Sequence, residues 1–188
     1  TDLDAGQAGF LTTVVSDAGN WGKLVLASDG SYSFIINNSL ASVQQLGANQ
    51  THIDRFTIYS IDGTSKTVDF VVRGTNDIAT IGLPSVSSVT EDARLTGSQL
   101  TTTGSISIVD VDQGQSSLQT KVISAVGNLG SLVLASDGSY SYSLDNSLLA
   151  VQQLNVGDIH VDHFTVTAFD GTTKDIAFTT YGTNDVAV

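Results

Sequence analysis

Oxygen-bearing side chains stand where apolar, strand-like runs of the sequence give way to polar segments. They are Asn76, Asp77, Glu91, Asp110, Asp112 and Asp170. Calcium takes about six to eight oxygen ligands from carboxylates, amides, backbone carbonyls and water. Asp110 and Asp112 are alternate residues of a polar loop, so both side chains can turn towards one ion. We therefore predict a calcium site where these loops meet the Asn76-Asp77 segment.

A second set of candidate ligands precedes the first by 108 positions. It consists of Asp2, Asp4 and Asp62. Asp-Gly pairs have a structural alternative, because they are by default hairpin turns. For Asp62 and Asp170, a turn without a ligand function and a metal ligand are weighted equally. Asp-x-Asp without a full EF-hand pattern can also be a solvated loop. For Asp29 and Asp137 we predict turns alone.

Composition and charge exclude several classes of protein. The 188 residues include no Cys, so a disulfide framework, a thiol nucleophile and a thiolate metal site are excluded. Seven basic against 19 acidic side chains give a formal charge of −12, which disfavours nucleic acid and anionic membrane surfaces as partners. No apolar run is long enough to span a membrane, and no signal peptide is visible. The missing initiator Met indicates a fragment of a longer protein.

Catalytic patterns are weak in this sequence. His160 and His163 are three apart in a strand-like stretch, so they point to opposite faces and are poorly placed to share a metal. The Gly-x-Ser-x-Gly elbow of serine hydrolases does not occur. We expect that the chain is not an enzyme.

The sequence repeats itself at a constant offset of 108 residues. Residues 24–33 are identical to residues 132–141, and the Gly-Thr-Asn-Asp run at 74–77 returns at 182–185. The register extends back to Asp2, which matches Asp110, so residues from about 81 to 108 have no counterpart in the first copy. We predict a repeat truncated at its N-terminus over residues 1–77 and a complete repeat over 78–188.

Each copy has the pattern of a β-protein. Short alternating runs are separated by turns, with hairpins expected at Asp29-Gly30 and Asp62-Gly63 and at their counterparts 108 residues later. Asn38-Ser39 is expected to cap a helix of one or two turns, with a counterpart beginning at 146–147. Strands at 85–91 and 104–109 bring the complete copy to about seven strands in about 108 residues, which favours an immunoglobulin-like sandwich. The fold class predicted is all-β, with tandem sandwich modules.

Four motifs stand out in this sequence. They are Asp-x-Asp-x-Gly-Gln, Gly-x-Leu-x-Leu-x-x-Asp-Gly-Ser-Tyr-x-Tyr, Phe-Thr-x-x-x-x-Asp-Gly, and Gly-Thr-Asn-Asp with the Val89-Thr-Glu-Asp92 opening. With these motifs the chain resembles the VCBS-type, cadherin-like repeats of large bacterial RTX adhesins. The resemblance covers essentially the whole chain. It implies immunoglobulin-like sandwiches strung in arrays, secreted to a bacterial cell surface, with calcium at the junctions and Asn76, Asp77, Glu91, Asp110, Asp112 and Asp170 as ligands.

The function predicted from these observations is mechanical. A non-catalytic extender, stiffened by calcium, would hold an adhesive tip away from the cell and contact neighbouring repeats of its own chain. The alternatives are a module that binds sugar or protein and an accessory domain of a secreted hydrolase. Because missing strands leave apolar surface and an unpaired edge, the first copy is expected to exchange strands with another chain or to be poorly ordered there.

Overall fold

The chain divides into two compact units. A computed structural model gives unit 1 as Thr1–Asn76 and unit 2 as Asp77–Val188. The structure describes residues 6–185. Asp2 and Asp4, two of the predicted ligands, lie outside the described residues. Within the described part of the chain, no helix is long and apolar enough to cross a membrane.

Residues 6–76 of unit 1 form five strands and one short helix. They are β1 (Val15–Ser16), β2 (Gly22–Leu26), β3 (Tyr32–Ile36), α1 (Ala41–Gln44), β4 (Thr51–Tyr59) and β5 (Ser65–Arg73). One sheet has the order β1-β4-β5, and the hairpin β2-β3 forms the other. Aromatic side chains join the two sheets, since Phe34 of β3 contacts both Phe56 of β4 and Phe70 of β5.

The described residues of unit 2 form a sandwich of eight strands. Its elements are β6 (Thr80–Pro84), β7 (Ser88–Thr90), β8 (Gln99–Val109), β9 (Ile123–Ser124), β10 (Ser131–Leu134), β11 (Ser139–Asp145), α2 (Leu149–Gln152), β12 (Ile159–Thr167) and β13 (Thr173–Tyr181). The sheets have the orders β10-β11-β8-β6 and β7-β13-β12-β9. All pairings within them are antiparallel except β7 with β13, which is parallel.

The core of unit 2 lies between its two sheets. Alternate residues of each strand point inwards, as period-two patterning requires. Tyr142 of β11 stacks on Phe178 of β13 with ring centroids 4.6 Å apart, and Phe164 of β12 packs edge-on against both rings. Leu100 and Ile106 of β8 are fully buried beside them. The predicted all-β sandwich is therefore the fold observed.

The strands before Asp110 differ from those predicted. Residues 85–91 are not one strand, because β6 ends at Pro84 and β7 covers only Ser88–Thr90. Proline has no N–H for a ladder, and the pairing of β6 with β8 is irregular between Ile81 and Pro84. The strand predicted at 104–109 begins earlier, at Gln99. Unit 2 thus has eight strands rather than about seven, and three of them, β6 to β8, have no counterpart among the described residues of unit 1.

The hairpin turns are as predicted, whereas the helix caps are not. Gly30, Gly63 and their counterparts adopt positive φ between 87° and 92°, a region that glycine enters without steric cost. The helices are single turns, but their N-caps are Leu40 and Leu148 and neither makes a side-chain cap hydrogen bond. Asn37 instead accepts the N–H of Ser39 in a local turn.

Candidate metal sites

One set of predicted ligands lies at the end of unit 2 where the chain enters it. Asp110 and Asp112 directly follow β8, and they are 9% and 1% exposed. The backbone N–H of Asp112 donates to Asp110 Oδ1 at 2.9 Å, which holds the two carboxylates in one tight loop. We call this group, together with Asp77 and Asp170, the Asp110 end.

Two carboxylate oxygens of the Asp110 end are buried without a hydrogen-bond partner among residues 6–185. They are Oδ2 of Asp110 and Oδ1 of Asp112. A buried carboxylate oxygen with no donor loses its hydration without compensation, which costs on the order of several kcal/mol for a charged group. A bound cation would compensate such oxygens.

The segment that opens unit 2 is bonded to this loop and to a second one. The N–H of Asp77 donates to Asp112 Oδ2 at 3.0 Å, and the N–H of Ala79 donates to Asp170 Oδ2 at 3.1 Å. Asp170 occupies the β12–β13 turn, where the N–H and hydroxyl of Thr172 also donate to it. The opening segment of unit 2 is therefore bonded to both loops, whereas Asn76 is the last residue of unit 1.

Glu91 lies at the opposite end of unit 2. Because β7 runs parallel to β13, the residue after β7 lies beside the end of β13, and the N–H of Glu91 donates to the carbonyl of Tyr181. Asp170 precedes the first residue of β13, so a nine-residue strand, about 30 Å long, separates it from Glu91. The sequence grouped Glu91 with Asp110, whereas the structure does not bring them together.

Glu91 has acidic neighbours of its own. Carboxylate oxygens of Glu91, Asp92 and Asp185 lie within 4.8 Å of one another, and Glu91 is 1% exposed. Glu91 accepts the N–H of Thr183 and an amide N–H of Gln152, both at 3.2 Å. Burial, followed by the charges of Asp185 and Asp92, raises the pKa of Glu91 and disfavours its charged form. We call this trio the Glu91 end; the ligand set predicted from the sequence includes Glu91 but neither Asp92 nor Asp185.

The remaining acidic candidates serve turns. Asp62 accepts hydrogen bonds from the hydroxyl of Ser60 and from the N–H and hydroxyl of Thr64. These bonds, with Ser60 first, lower the pKa of Asp62. Asp29 and Asp137 each accept the N–H and hydroxyl of the serine two residues later. The turn function predicted for these two residues is confirmed.

A buried aspartate in each unit was missed by the sequence analysis. Asp162 of β12 is fully buried and accepts the N–H groups of Leu129 and Gly130 at 2.8 and 2.6 Å and the hydroxyl of Tyr142 at 2.8 Å. His160 Nε2 lies 2.7 Å from its Oδ1. These bonds fix the turn before β10 to β12.

The counterpart in unit 1 is Asp54. It is also fully buried and accepts the N–H groups of Trp21 and Gly22 at 2.9 and 2.6 Å. Phe34 replaces the tyrosine at the equivalent position, so this carboxylate lacks the phenol that serves Asp162. The sequence pattern does indicate this burial, because Asp54 lies two residues from Phe56 on an alternating strand and therefore shares its inward face.

Comparisons with known proteins support the fold and no closer relationship. No protein-family profile and no curated protein matches this chain. A structure of the protocadherin gammaB7 EC3-6 cis-dimer is 15% identical, with a TM-score of 0.55 over 96% of this chain and 42% of that one. The protocadherin gammaB4 extracellular domain is 14% identical, with a TM-score of 0.51 over 92% of this chain and 26% of that one. The chain thus spans less than half the length of these two structures, and the similarity shows a cadherin-like β-sandwich fold.

Proposed function

We propose that this chain is a non-catalytic, calcium-stiffened extender of a large bacterial surface adhesin, which holds a binding tip away from the cell. Its partners in this function are neighbouring repeats of the same chain. The tandem cadherin-like fold and the resemblance to adhesin repeats support this proposal. The observation that carries it is the pair of buried, unpartnered carboxylate oxygens on Asp110 and Asp112.

The donor set of the Asp110 end fits calcium. Every candidate side chain there offers oxygen, the atom that calcium prefers, and the chain has no cysteine that would favour a softer metal. Asp77, Asp110, Asp112 and Asp170 would hold the ion in unit 2, and Asn76, Asp2, Asp4 and Asp62 remain proposed ligands of the first copy or the linker. The Glu91 end is proposed as a second site, with Glu91 joined by Asp92 and Asp185.

The protein's own groups give calcium a mechanical effect. Asp112 and Asp170 already accept backbone N–H groups from the opening segment of unit 2, at Asp77 and Ala79. In the absence of a cation, their charges repel one another within this loop cluster. A bound ion would remove that repulsion. Opening of segment 77–79 would then also require the ion to be released, so the free energy of opening would rise by the free energy of ion binding. Segment 77–79 would then be held more firmly to unit 2.

The expected stabilisation follows from mass action. Extracellular calcium modules have dissociation constants on the order of 0.1 to 1 mM. With free calcium at about ten times the dissociation constant, RT ln(1 + [Ca]/Kd) is about 1.4 kcal/mol. For a unit of about 110 residues this raises Tm by about 5 °C.

Calorimetry on the full chain tests the proposal. Unit 2 is expected to unfold about 5 °C higher in millimolar calcium than in chelator. Asp112→Asn should remove most of that difference, whereas the matched change Asp137→Asn, in an exposed hairpin turn, should preserve it. Small-angle scattering of the same samples should show a narrower distribution of dimensions with calcium. An unchanged Tm and unchanged scattering on calcium removal would refute the proposal.

A further inference from the structure

Strand β12 has two sides along which backbone hydrogen bonds form. Such bonds alternate between the two sides of an antiparallel strand. Even-numbered residues at its start bond the β13 side, since the N–H of Gly182 donates to the carbonyl of Asp158. Odd-numbered residues face the other side, where β9 pairs and the carbonyl of His163 accepts the N–H of Ala125. The odd-numbered residues that precede His163 therefore face away from β13 as well.

Asn128 ends the ladder on the β9 side. Its side-chain amide accepts the N–H of His163 at 2.9 Å and donates to the carbonyl of His163 at 2.7 Å, as the backbone of a paired strand would. The chain then turns towards β10, and the N–H groups of residues 129–130 donate to Asp162 instead of extending the ladder. The first residues of β12 are thus left without a neighbour on this side.

Val161 and Ile159 are the two residues left open, and we call them the half-edge. No strand or loop within residues 6–185 pairs with them on the β9 side. Ile159 is 56% exposed. Each residue offers one N–H and one C=O on this side, in the alternation that a further strand requires. Neither residue is charged or proline, so the half-edge lacks the usual protection against pairing.

The same opening recurs in unit 1. Asn20 bonds both backbone groups of Arg55, and Ile53, the next residue on that side of β4, has no partner there within the described residues. A cavity of about 210 Å³ lies beside Ile53 and is lined also by Ala18 and Gly19. Unit 2 contains β6 to β8 and unit 1 is followed by another repeat. The opening is therefore a property of the repeat, whichever residues precede or follow it.

Side chains make the half-edge of unit 2 the more apolar of the two. Three apolar residues of unit 2 replace smaller or polar residues of unit 1: Val126, Ile159 and Tyr181 stand in place of Ala18, Thr51 and Arg73. Val126 is fully exposed, and Tyr181 is 48% exposed. Ile159 and Tyr181 are directly opposed in the β12–β13 pairing, so their side chains share one face of the sheet. Asp158, which is also exposed, adjoins this apolar surface.

We propose that the half-edge of unit 2 binds an extended polypeptide, which continues the line of β9 antiparallel to β12. The first and third residues of this segment each exchange two backbone hydrogen bonds with Val161 and Ile159, respectively. They are apolar, because their side chains lie on the same face as those of Val161 and Ile159. The fourth residue lies opposite Asp158 and is lysine or arginine, which pairs with the carboxylate.

The chemistry of the half-edge selects this partner. A polypeptide strand presents N–H and C=O groups at the spacing of β12, and addition of a strand to an open sheet edge is an established mode of peptide binding. A second copy of the chain is a poor occupant, because each copy carries a formal charge of −12 and two copies repel one another. A segment that carries a basic residue is instead attracted to this surface.

The experiment uses the full chain in chelator, so its outcome is independent of the calcium proposed above. The probe is the blocked peptide Gly-Val-Thr-Val-Lys-Gly, in which the two valines are the first and third residues of the bound segment. Amide NMR signals of Val161 and Ile159 should shift and saturate with a Kd below about 1 mM. Exchange of these two amides should slow, whereas that of His163, which Asn128 already bonds, should stay unchanged.

Methylation of single peptide nitrogens tests the pairing without changing the protein. Methylation of the second valine removes a donor to the half-edge and should weaken binding about tenfold or more. Methylation of the threonine, whose N–H points away from β12, is the matched control and should change binding less than about threefold. Replacing the peptide lysine with glutamate should weaken binding about fivefold or more, because two carboxylates then face each other.

One pair of protein variants tests the side chains. Ile159→Thr gives unit 2 the residue found at the same position of unit 1 and should weaken binding about fivefold or more. Val133→Thr is the matched change at a residue 70% exposed in the other sheet, and it should leave binding unchanged.

Four outcomes would overturn the inference. The first is the absence of saturable shifts at Val161 and Ile159. The second is equal weakening by the two methylated peptides, which would show contact without strand pairing. The third is equal binding by the Ile159→Thr and Val133→Thr variants. The fourth is a dimer of the chain in sedimentation whose Ile159 and Val161 amides are already protected, which would assign the half-edge to a second copy.

Discussion

Replacing Tyr142 with phenylalanine removes one hydroxyl and nothing else from the core of unit 2. That hydroxyl donates to Oδ2 of Asp162 at 2.8 Å, and both side chains are 0% exposed. Burial, followed by the Asp162 carboxylate, raises the pKa of the Tyr142 phenol. The phenol therefore stays protonated at neutral pH and acts as a donor.

The magnitude follows from the charge of the acceptor. A hydrogen bond to a charged group contributes about 1.5 to 3 kcal/mol to stability. Asp162 keeps the N–H groups of Leu129 and Gly130, so it is not left without donors. We expect Tyr142→Phe to lower the free energy of unfolding of unit 2 by about 2 kcal/mol. With an m-value of about 2 kcal/mol/M, the urea midpoint falls by about 1 M.

The single tryptophan of the chain gives this measurement an internal reference. Trp21 lies in unit 1, so its fluorescence reports the unfolding of that unit. Amide exchange of β12 and β13 measured against urea reports unit 2. Tyr142→Phe should shift the β12–β13 transition and leave the Trp21 transition in place. Tyr181→Phe also removes a phenol hydroxyl, but from a residue that is 48% exposed. It should change the free energy of unfolding of neither unit by more than about 0.5 kcal/mol.

The reasoning is refuted if Tyr142→Phe costs less than about 0.5 kcal/mol, a cost expected of a surface change. It is also refuted if Tyr181→Phe costs as much as Tyr142→Phe. An equal shift of the Trp21 transition would show that the two units unfold together, and the change could not then be assigned to this contact.

Two further predictions concern the same contact in unit 1 and the buried glutamate. Phe34→Tyr should raise the free energy of unfolding reported by Trp21 by about 1 kcal/mol, because the new hydroxyl supplies to Asp54 the donor that Asp162 already has. A lowered urea midpoint of the Trp21 transition would contradict this. Glu91→Gln in chelator at pH 7 should raise the Tm of unit 2 by a few degrees, since a carboxyl whose folded pKa is raised loses stability as pH rises through that pKa. This gain in Tm should shrink as pH falls towards 4.5. Asp158→Asn should instead lower the Tm at pH 7, because hydrogen bonds from Asn155 lower the pKa of the Asp158 carboxyl and favour its charged form.

The sequence allowed much of the fold to be predicted because its strongest signals are local. Asp-Gly turns and two-residue alternation located both hairpins of each copy, and glycine adopts positive φ at Gly30 and Gly63 as expected. The caps were mispredicted for a local reason too. Asn37 can bond its own backbone two residues on, and this competes with capping of the helix.

The site residues depended on long-range pairing, which a single sequence does not reveal. Asp110, Asp112 and Asp170 follow or connect strands, but only the pairing of β7 with β13 decides that Glu91 lies at the other end. Asp92 and Asp185 join Glu91 for the same reason. Asp54 was not predicted for a different reason. Only carboxylates in loops were considered as candidates, although alternation along the strand puts Asp54 on the same inward face as Phe56.

The parallel pairing of β7 with β13 also has a consequence for how the protein folds. Ser88 aligns with Thr179, roughly ninety residues later along the chain, whereas the hairpins of unit 1 join residues no more than about twenty-five apart. Non-local pairing slows folding, because a long loop must be closed before the contacts that stabilise it form. During synthesis on the ribosome, β7 is made early in unit 2, whereas its partner β13 is the last strand among the described residues. Unit 2 can close only after β13 has been made, so β7 lacks the strand with which it pairs until β13 is synthesised, whereas β6 can pair with β8 earlier.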